Sequence, residues 1–180
     1  VFSTLGKFYT INCSRVSSGR GFGDPISLLI DKNDNEEVLF FKIYEQDKEF
    51  LITSSAGKGF FVNSNDFIAS TKSGKKVMNL KDNDRAVSCA EKKGDLIVSI
   101  SGEKKSFKLL AFNSSEIPNM QKGRGVTLQK FKSGKTLKAF CADSNEGIIN
   151  ERSKKVLLSA KDLKKWLGKR AQAGRIEPKN

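Results

Sequence analysis

Two stretches of this sequence set an arginine between glycines. Residues 120–131 read Met-Gln-Lys-Gly-Arg-Gly-Val-Thr-Leu-Gln-Lys-Phe, and residues 17–30 read Ser-Ser-Gly-Arg-Gly-Phe-Gly-Asp-Pro-Ile-Ser-Leu-Leu-Ile. A weaker echo lies at 71–80, where Ser73-Gly74-Lys75 takes the same place. Glycine tolerates φ > 0 because it has no Cβ to clash, so such a stretch turns tightly. The cation between the glycines is then free to reach outward. Side chains of this kind suit anionic oxygens, above all phosphates, which they contact without reading sequence.

The charge balance points the same way. The 180 residues carry 33 Lys and Arg against 20 Asp and Glu, a net charge of +13. The excess is concentrated in the last third: residues 120–142 hold six basic residues and no acid, and 152–180 hold ten against two. Such a field favours a polyanion, for which nucleic acid is the usual candidate. There is no histidine, which removes the commonest general base and metal ligand and argues against zinc sites and Ser-His or Cys-His catalysis. Cys13, Cys89 and Cys141 are odd in number and lack Cys-x-x-Cys spacing. Buried free thiols in a reducing cytosol are expected. No apolar run nears the ~20 residues of a membrane span, and no leader pattern opens the chain. Val1 falls inside a strand-like pattern rather than a methionine-led polar start, so a piece of a longer protein is expected.

The elements that must hold these cations follow a period of two. Val1–Thr4 and Phe8–Cys13 read as a hairpin about Leu5-Gly6-Lys7, and Pro25–Ile30 and Val38–Tyr44 as apolar runs about a solvated acidic connector at 31–37. The pattern restarts with strands at Glu49–Ser54 and Gly59–Asn63, a basic turn at Lys72–Lys76 and a strand at Ala86–Ala90. A third restart gives Asp95–Ser101, Ser106–Phe112, Leu128–Phe131 and Leu137–Ala142, with a turn at Asn145–Gly147. Gly6 aligns with Gly57 and Gly102, and Gly21 with Lys75 and Gly125, a period near 50. The units expected are 1–46, 47–94 and 95–150, followed by a basic tail at 151–180. Four short strands per unit imply an all-β, propeller-like array whose small sheets cover one another. Of the 13 phenylalanines, Phe40, Phe41, Phe60, Phe61, Phe107 and Phe112 are the expected core. In the tail, Ser159-Ala160-Lys161-Asp162 spells a capping box. Leu163, Trp166 and Leu167 form a stripe that docks a short helix on the last unit, which Gly174 would end.

The strand–turn–basic-loop unit resembles the C-terminal domain of the A subunit of bacterial type IIA topoisomerases, closer to topoisomerase IV than to DNA gyrase. Lys122–Phe131 and Trp166–Arg175 carry the resemblance, which runs along essentially the whole chain and matches least in the middle unit. It implies a β-pinwheel of four-stranded blades that share strands, here about three to four blades with a short C-terminal helix. It also implies a non-catalytic, largely sequence-independent duplex DNA-binding domain that positions DNA for relaxation and decatenation. Neither Ser18–Gly23 nor Gln121–Gly125 spells the Gln-Arg-Arg-Gly-Gly-(Arg or Lys)-Gly box by which gyrase wraps DNA, which argues against strong wrapping and negative supercoiling. The parent enzyme would use ATP and Mg2+, pair with the B subunit of topoisomerase IV as a heterotetramer, and work in the bacterial cytoplasm at the nucleoid. No cofactor, catalytic residue or metal ligand is carried onto this chain, and no membrane partner is implied.

The residues expected to reach phosphates are Arg15, Arg20, Lys58, Lys72, Lys75, Lys76, Lys104, Lys105, Lys108, Lys122, Arg124, Lys130 and Lys132. The alternative is a protein-interaction propeller whose charge serves solubility. A self-contained enzyme has least support, since the sequence shows neither a phosphate-binding Gly-x-x-x-x-Gly-Lys-Ser/Thr loop nor a recurring carboxylate pair.

Overall fold

Hairpins with buried apolar faces repeat along the chain. The computed structural model describes residues 1–17, 19, 21–103, 106–149 and 156–176. The first hairpin pairs β1 (Phe2–Ser3) with β2 (Lys7–Phe8), and β3 (Val38–Phe40) returns beside β1. The second pairs β4 (Glu49–Ser54) with β5 (Lys58–Asn63); β6 (Lys75–Lys76) and β7 (Ala86–Glu91) follow. The third pairs β8 (Leu96–Glu103) with β9 (Ser106–Asn113), followed by β10 (Val126–Thr127) and β11 (Lys135–Ala142). After β12 (Ile148–Ile149) and β13 (Val156–Leu158) come α1 (Ala160–Leu163), a 3-10 turn at Lys164–Trp166, and β14 (Arg175–Ile176).

These strands make three four-stranded antiparallel sheets, in the orders β3-β1-β2-β6, β10-β5-β4-β7 and β11-β8-β9-β14, beside a two-stranded β12-β13 pair. In each sheet three strands come from one stretch of chain. The fourth arrives from further on: β6 lies beyond the second hairpin, β10 beyond the third, and β14 at the C-terminal end of the described chain. This strand-sharing is the expected β-pinwheel.

Packing explains why the second and third hairpins read as nearly continuous apolar runs. Phe50, Ile52, Phe60 and Val62 point to one side of the second sheet and pack with Phe2, Phe8, Val77 and Met78. Leu51 and Phe61 point to the other side and meet Ile97, Leu110, Phe112 and Leu128. Successive strand residues face opposite sides, so a sheet covered on both faces needs apolar residues at every position. The far face of the third sheet, with Leu96, Val98, Leu109 and Ala111, is covered by Ile148 and Leu163. The helix behaves as its cap predicts: the Ser159 side chain accepts from the Asp162 N–H, and buried Leu163 docks on the third sheet.

Several expectations change. The second strand of the first hairpin stops at Phe8 instead of running to Cys13; Cys13 is exposed rather than buried, at the start of a 3-10 turn, Cys13–Arg15, that the Asn12 side chain caps. Pro25–Ile30 holds a 3-10 turn at Ile26–Leu28. Leu128–Phe131 is not a strand: the paired residues are Val126 and Thr127, and the chain then leaves the edge as Leu128 buries its side chain in the core. Phe41 is 63% exposed, because β3 ends at Phe40; Phe60, Phe61 and Phe112 are buried, and Phe40 and Phe107 half-buried. Gly102 pairs with Phe107 inside the third hairpin rather than turning it. Gly174 does not end the helix, which gives way to a 3-10 turn and stops at Trp166; it precedes β14. Leu167 is exposed, while its backbone bridges Ala111. The turn expected at Asn145–Gly147 falls one residue earlier, at 144–146, and Gly147 bridges Asp143.

Candidate nucleic-acid interface

Strands β6, β10 and β14 occupy the same edge of three successive sheets, each beside the second strand of its hairpin. A glycine in the left-handed region immediately precedes each: Gly74 (φ 75°), Gly125 (φ 77°) and Gly174 (φ 75°). This set, spaced by 51 and 49 residues, is the true repeat register, in place of the Gly21–Lys75–Gly125 alignment. Glycine is also required sterically. A Cβ on Gly74 would come within 2.7 Å of the Tyr9 ring and 2.9 Å of the Phe8 carbonyl oxygen, and one on Gly174 within 2.6 Å of the Leu109 carbonyl oxygen. The backbone is pressed onto the sheet at these points, and the flanking side chains turn outward.

Those side chains are mostly cationic. Around the first edge, Lys72, Lys75 and Lys76 are exposed. The Lys72 Nζ donates to the Leu28 carbonyl at 3.1 Å, and Lys7 on β2 donates to the Ser73 carbonyl at 3.3 Å. At the second edge Lys122 is exposed and Arg124 half-buried, with its Nε lacking a partner. Half-buried Lys58 donates to the Thr127 hydroxyl at 2.6 Å, and Arg170 to the Thr127 carbonyl at 2.8 Å. The third edge exposes Lys169 and Arg175; Arg175 donates to the Lys165 carbonyl at 2.6 Å. Between the second and third edges lies an open groove of about 820 Å³, lined by Lys108, Lys130, Lys132, Gln129, Phe131 and Glu103 among others.

Acids neutralise cations elsewhere. Lys42 pairs with Glu91 and, at 3.2 Å, with Glu45, and Lys92 pairs with Glu49 at 2.7 Å. Hydrogen bonds from these lysines hold the Glu91 and Glu49 carboxyls below their ordinary range. None of the candidate lysines and arginines forms an ion pair among the described residues.

Of the residues singled out from sequence, the structure thus gathers Lys72, Lys75 and Lys76 at one edge, Lys58, Lys122 and Arg124 at the next, and Lys108, Lys130 and Lys132 in the groove. Arg15 is exposed on its own 3-10 turn. Arg20, Lys104 and Lys105 lie outside the described residues. Sequence reasoning left Lys7 off the candidate set and took Lys169, Arg170 and Arg175 only as tail cations free to face a partner. The signal was available, because Gly174 repeats the spacing of Gly74 and Gly125. It also took Glu36 for part of a solvated acidic loop, whereas Glu36 is 1% exposed and accepts hydrogen bonds from Ser3 and Tyr9. The described residues hold no cluster of three or more His, Cys, Asp and Glu able to bind a metal.

A family model described as DNA gyrase C-terminal domain, beta-propeller, matches residues 48–90 and 111–138. The A subunit of a DNA topoisomerase 4 from Rickettsia bellii is 43% identical over 99% of this chain. The chain belongs to the DNA gyrase C-terminal domain family. The middle span, expected to resemble this family least, is one of the two parts that its model matches. The corresponding A subunit of the DNA topoisomerase 4 from Caulobacter vibrioides is 30% identical, again over 99% of the chain. The chain spans about a quarter of the length of these relatives, 24% and 23%. Among solved structures, the E. coli ParC C-terminal domain superposes with a TM-score of 0.81 at 22% identity, covering 98% of this chain and 74% of that one. A DNA gyrase A C-terminal domain superposes with a TM-score of 0.69 at 26% identity, covering 96% and 57%. The family's propeller-like architecture is the one described above.

Proposed function

We propose that this chain is a duplex DNA-binding domain that holds the sugar–phosphate backbone along the edges formed by β6, β10 and β14. The observation that carries this reading is the threefold recurrence of one device: a left-handed glycine, an edge strand, and exposed cations without acidic partners among the described residues. Contacts of this kind position DNA and are indifferent to base sequence. In the A subunit of a parent topoisomerase IV the domain would present DNA for relaxation and decatenation. ATP, Mg2+, the strand-cutting residues and the B subunit would all be engaged outside this chain, in a bacterial cytoplasmic enzyme.

The test is fluorescence anisotropy with a labelled duplex over a range of salt. Log affinity should fall linearly with log salt, by about 0.9 per phosphate neutralised. The variants Lys75→Ala/Lys76→Ala and Lys122→Ala/Arg124→Ala should each weaken binding and flatten that slope. Affinity indifferent to salt would overturn the reading. A protein-docking role draws on exposed Phe41 and Ile43; it requires duplex binding to be unchanged in both double variants.

A further inference from the structure

The groove between the second and third edges is open to solvent. At about 820 Å³ it falls in the size range of sites that enclose a small ligand. Three features of its lining bear on what enters. Lys108, Lys130 and Lys132 supply positive charge. Phe131 supplies a half-buried aromatic ring. Gln129 is 1% exposed, and its amide nitrogen donates to the Lys108 carbonyl at 3.2 Å and the Ala173 carbonyl at 2.9 Å. Those two bonds set the orientation of the amide, and its Oε1 is left with no partner. Buried acceptors in that state are rare and costly. A second hollow of about 200 Å³, with Trp166 and Arg175, adjoins the first at Ala173.

We propose that this groove is a subsite for one unpaired nucleotide of a DNA strand, with the next nucleotide directed toward Trp166 and Arg175. The proposal rests on the DNA-binding reading and adds to it. A stacked, paired base cannot enter a pocket on a protein rim, whereas an extruded or unpaired one can. Its phosphate meets the three lysines, and its face lies on Phe131 beside the buried Gln129 amide. Aromatic faces beside cations are how single strands are held without regard to sequence. Glu103 at the same groove is the one acid in the lining among the described residues, and it opposes a second phosphate there.

The test compares an intact duplex, the same duplex with a two-nucleotide gap, a ten-residue oligodeoxyadenylate and its abasic counterpart, each by anisotropy. The wild-type chain should bind the gapped duplex roughly tenfold more tightly than the intact one, and oligodeoxyadenylate roughly tenfold more tightly than the abasic strand. Phe131→Leu, which keeps an apolar side chain and loses the ring, should abolish both preferences while leaving intact-duplex affinity within twofold. Lys132→Ala, at an exposed position, should weaken the adenylate and abasic strands alike. Equal affinity for gapped and intact duplex, or preferences unaltered in Phe131→Leu, would overturn the subsite and leave the duplex reading standing; loss of all duplex binding would remove both. Displacement of oligodeoxyadenylate by millimolar 5′-adenylate would assign the groove to a free nucleotide and overturn the strand proposal.

Discussion

The Tyr9 hydroxyl donates to Glu36 Oε1 at 2.7 Å, across 27 residues of chain. The Ser3 hydroxyl donates to the same oxygen, and the Asn33 N–H donates to Oε2 at 3.1 Å. One buried carboxylate thereby ties β1, the end of β2 and the connector before β3 into one unit. A glutamine at 36 keeps an acceptor for the hydroxyls but turns an N–H toward the Asn33 N–H. Glu36→Gln should therefore destabilise the chain by about 1–3 kcal/mol. Tyr9→Phe, which removes one donor of three, should cost about 1 kcal/mol. Urea unfolding followed by tryptophan fluorescence measures both, and a loss below 0.5 kcal/mol (about a twofold change in the folding constant) in Glu36→Gln would mean that the cluster is not structural.

The same cluster sets an acid limb. Burial works against ionisation of Glu36, but the bonds from Ser3, Tyr9 and Asn33, with Lys7 nearby, outweigh it and hold the carboxyl below its ordinary value of 4.5. Above that value both the folded and the unfolded chain carry the charge, and the stabilisation is fully present. As pH falls through 4.5 the unfolded chain takes up the proton first, so stability declines until the folded value is passed. Glu49 and Glu91, lowered by Lys92 and Lys42, add to the decline. Urea midpoints at pH 7, 5, 4 and 3 should drop along this series, and the drop should be shallower in Glu36→Gln. A parallel pair of curves would rule out Glu36 as a contributor.

The strands that pack on two neighbours were legible in the sequence, because covering both faces forces unbroken runs such as Phe-Leu-Ile at 50–52 and Phe-Phe-Val at 60–62. The donated edges were harder to read. β6, β10 and β14 are two residues long, too short for any period, and their pairing is set by distant hairpins. Only the glycines before them mark the place. Glu36 was misread for a related reason: nothing local distinguishes it from its exposed neighbours, and its partners Ser3 and Tyr9 are brought to it by the fold.

The glycine before each edge strand can be tested against a matched control. Gly74 and Gly23 have nearly the same φ, 75° and 74°, so alanine imposes the same backbone cost of about 1–2 kcal/mol at either. Their surroundings differ: a Cβ at 74 meets the Tyr9 ring and the Phe8 carbonyl oxygen, while one at 23 has nothing within 4 Å. Gly23→Ala should cost about 1 kcal/mol and leave duplex affinity unchanged. Gly74→Ala should cost at least about 1 kcal/mol more, in the manner of an overpacked site, and should weaken duplex binding by displacing Lys75 and Lys76. Equal stability losses in the two variants would show that the edge is not pressed onto the sheet as described.

If the interface is electrostatic, neutralised and unneutralised cations must differ in their effect on DNA. Lys92 is held by Glu49 at 2.7 Å and lies 4.6 Å from the centre of the Phe61 ring. Lys130 and Lys132 are exposed and have no ion-pair partner among the described residues. Removing Lys92 leaves Glu49 without its counter-ion, so Lys92→Ala should lower stability by about 0.5–1 kcal/mol and change duplex affinity less than twofold at physiological salt. Lys130→Ala/Lys132→Ala should barely alter stability, and the log–log salt slope should fall by about 0.9 for every phosphate that is no longer neutralised. Equal loss of duplex affinity in the two variants would indicate a response to net charge alone, and the edge-strand interface would have to be abandoned.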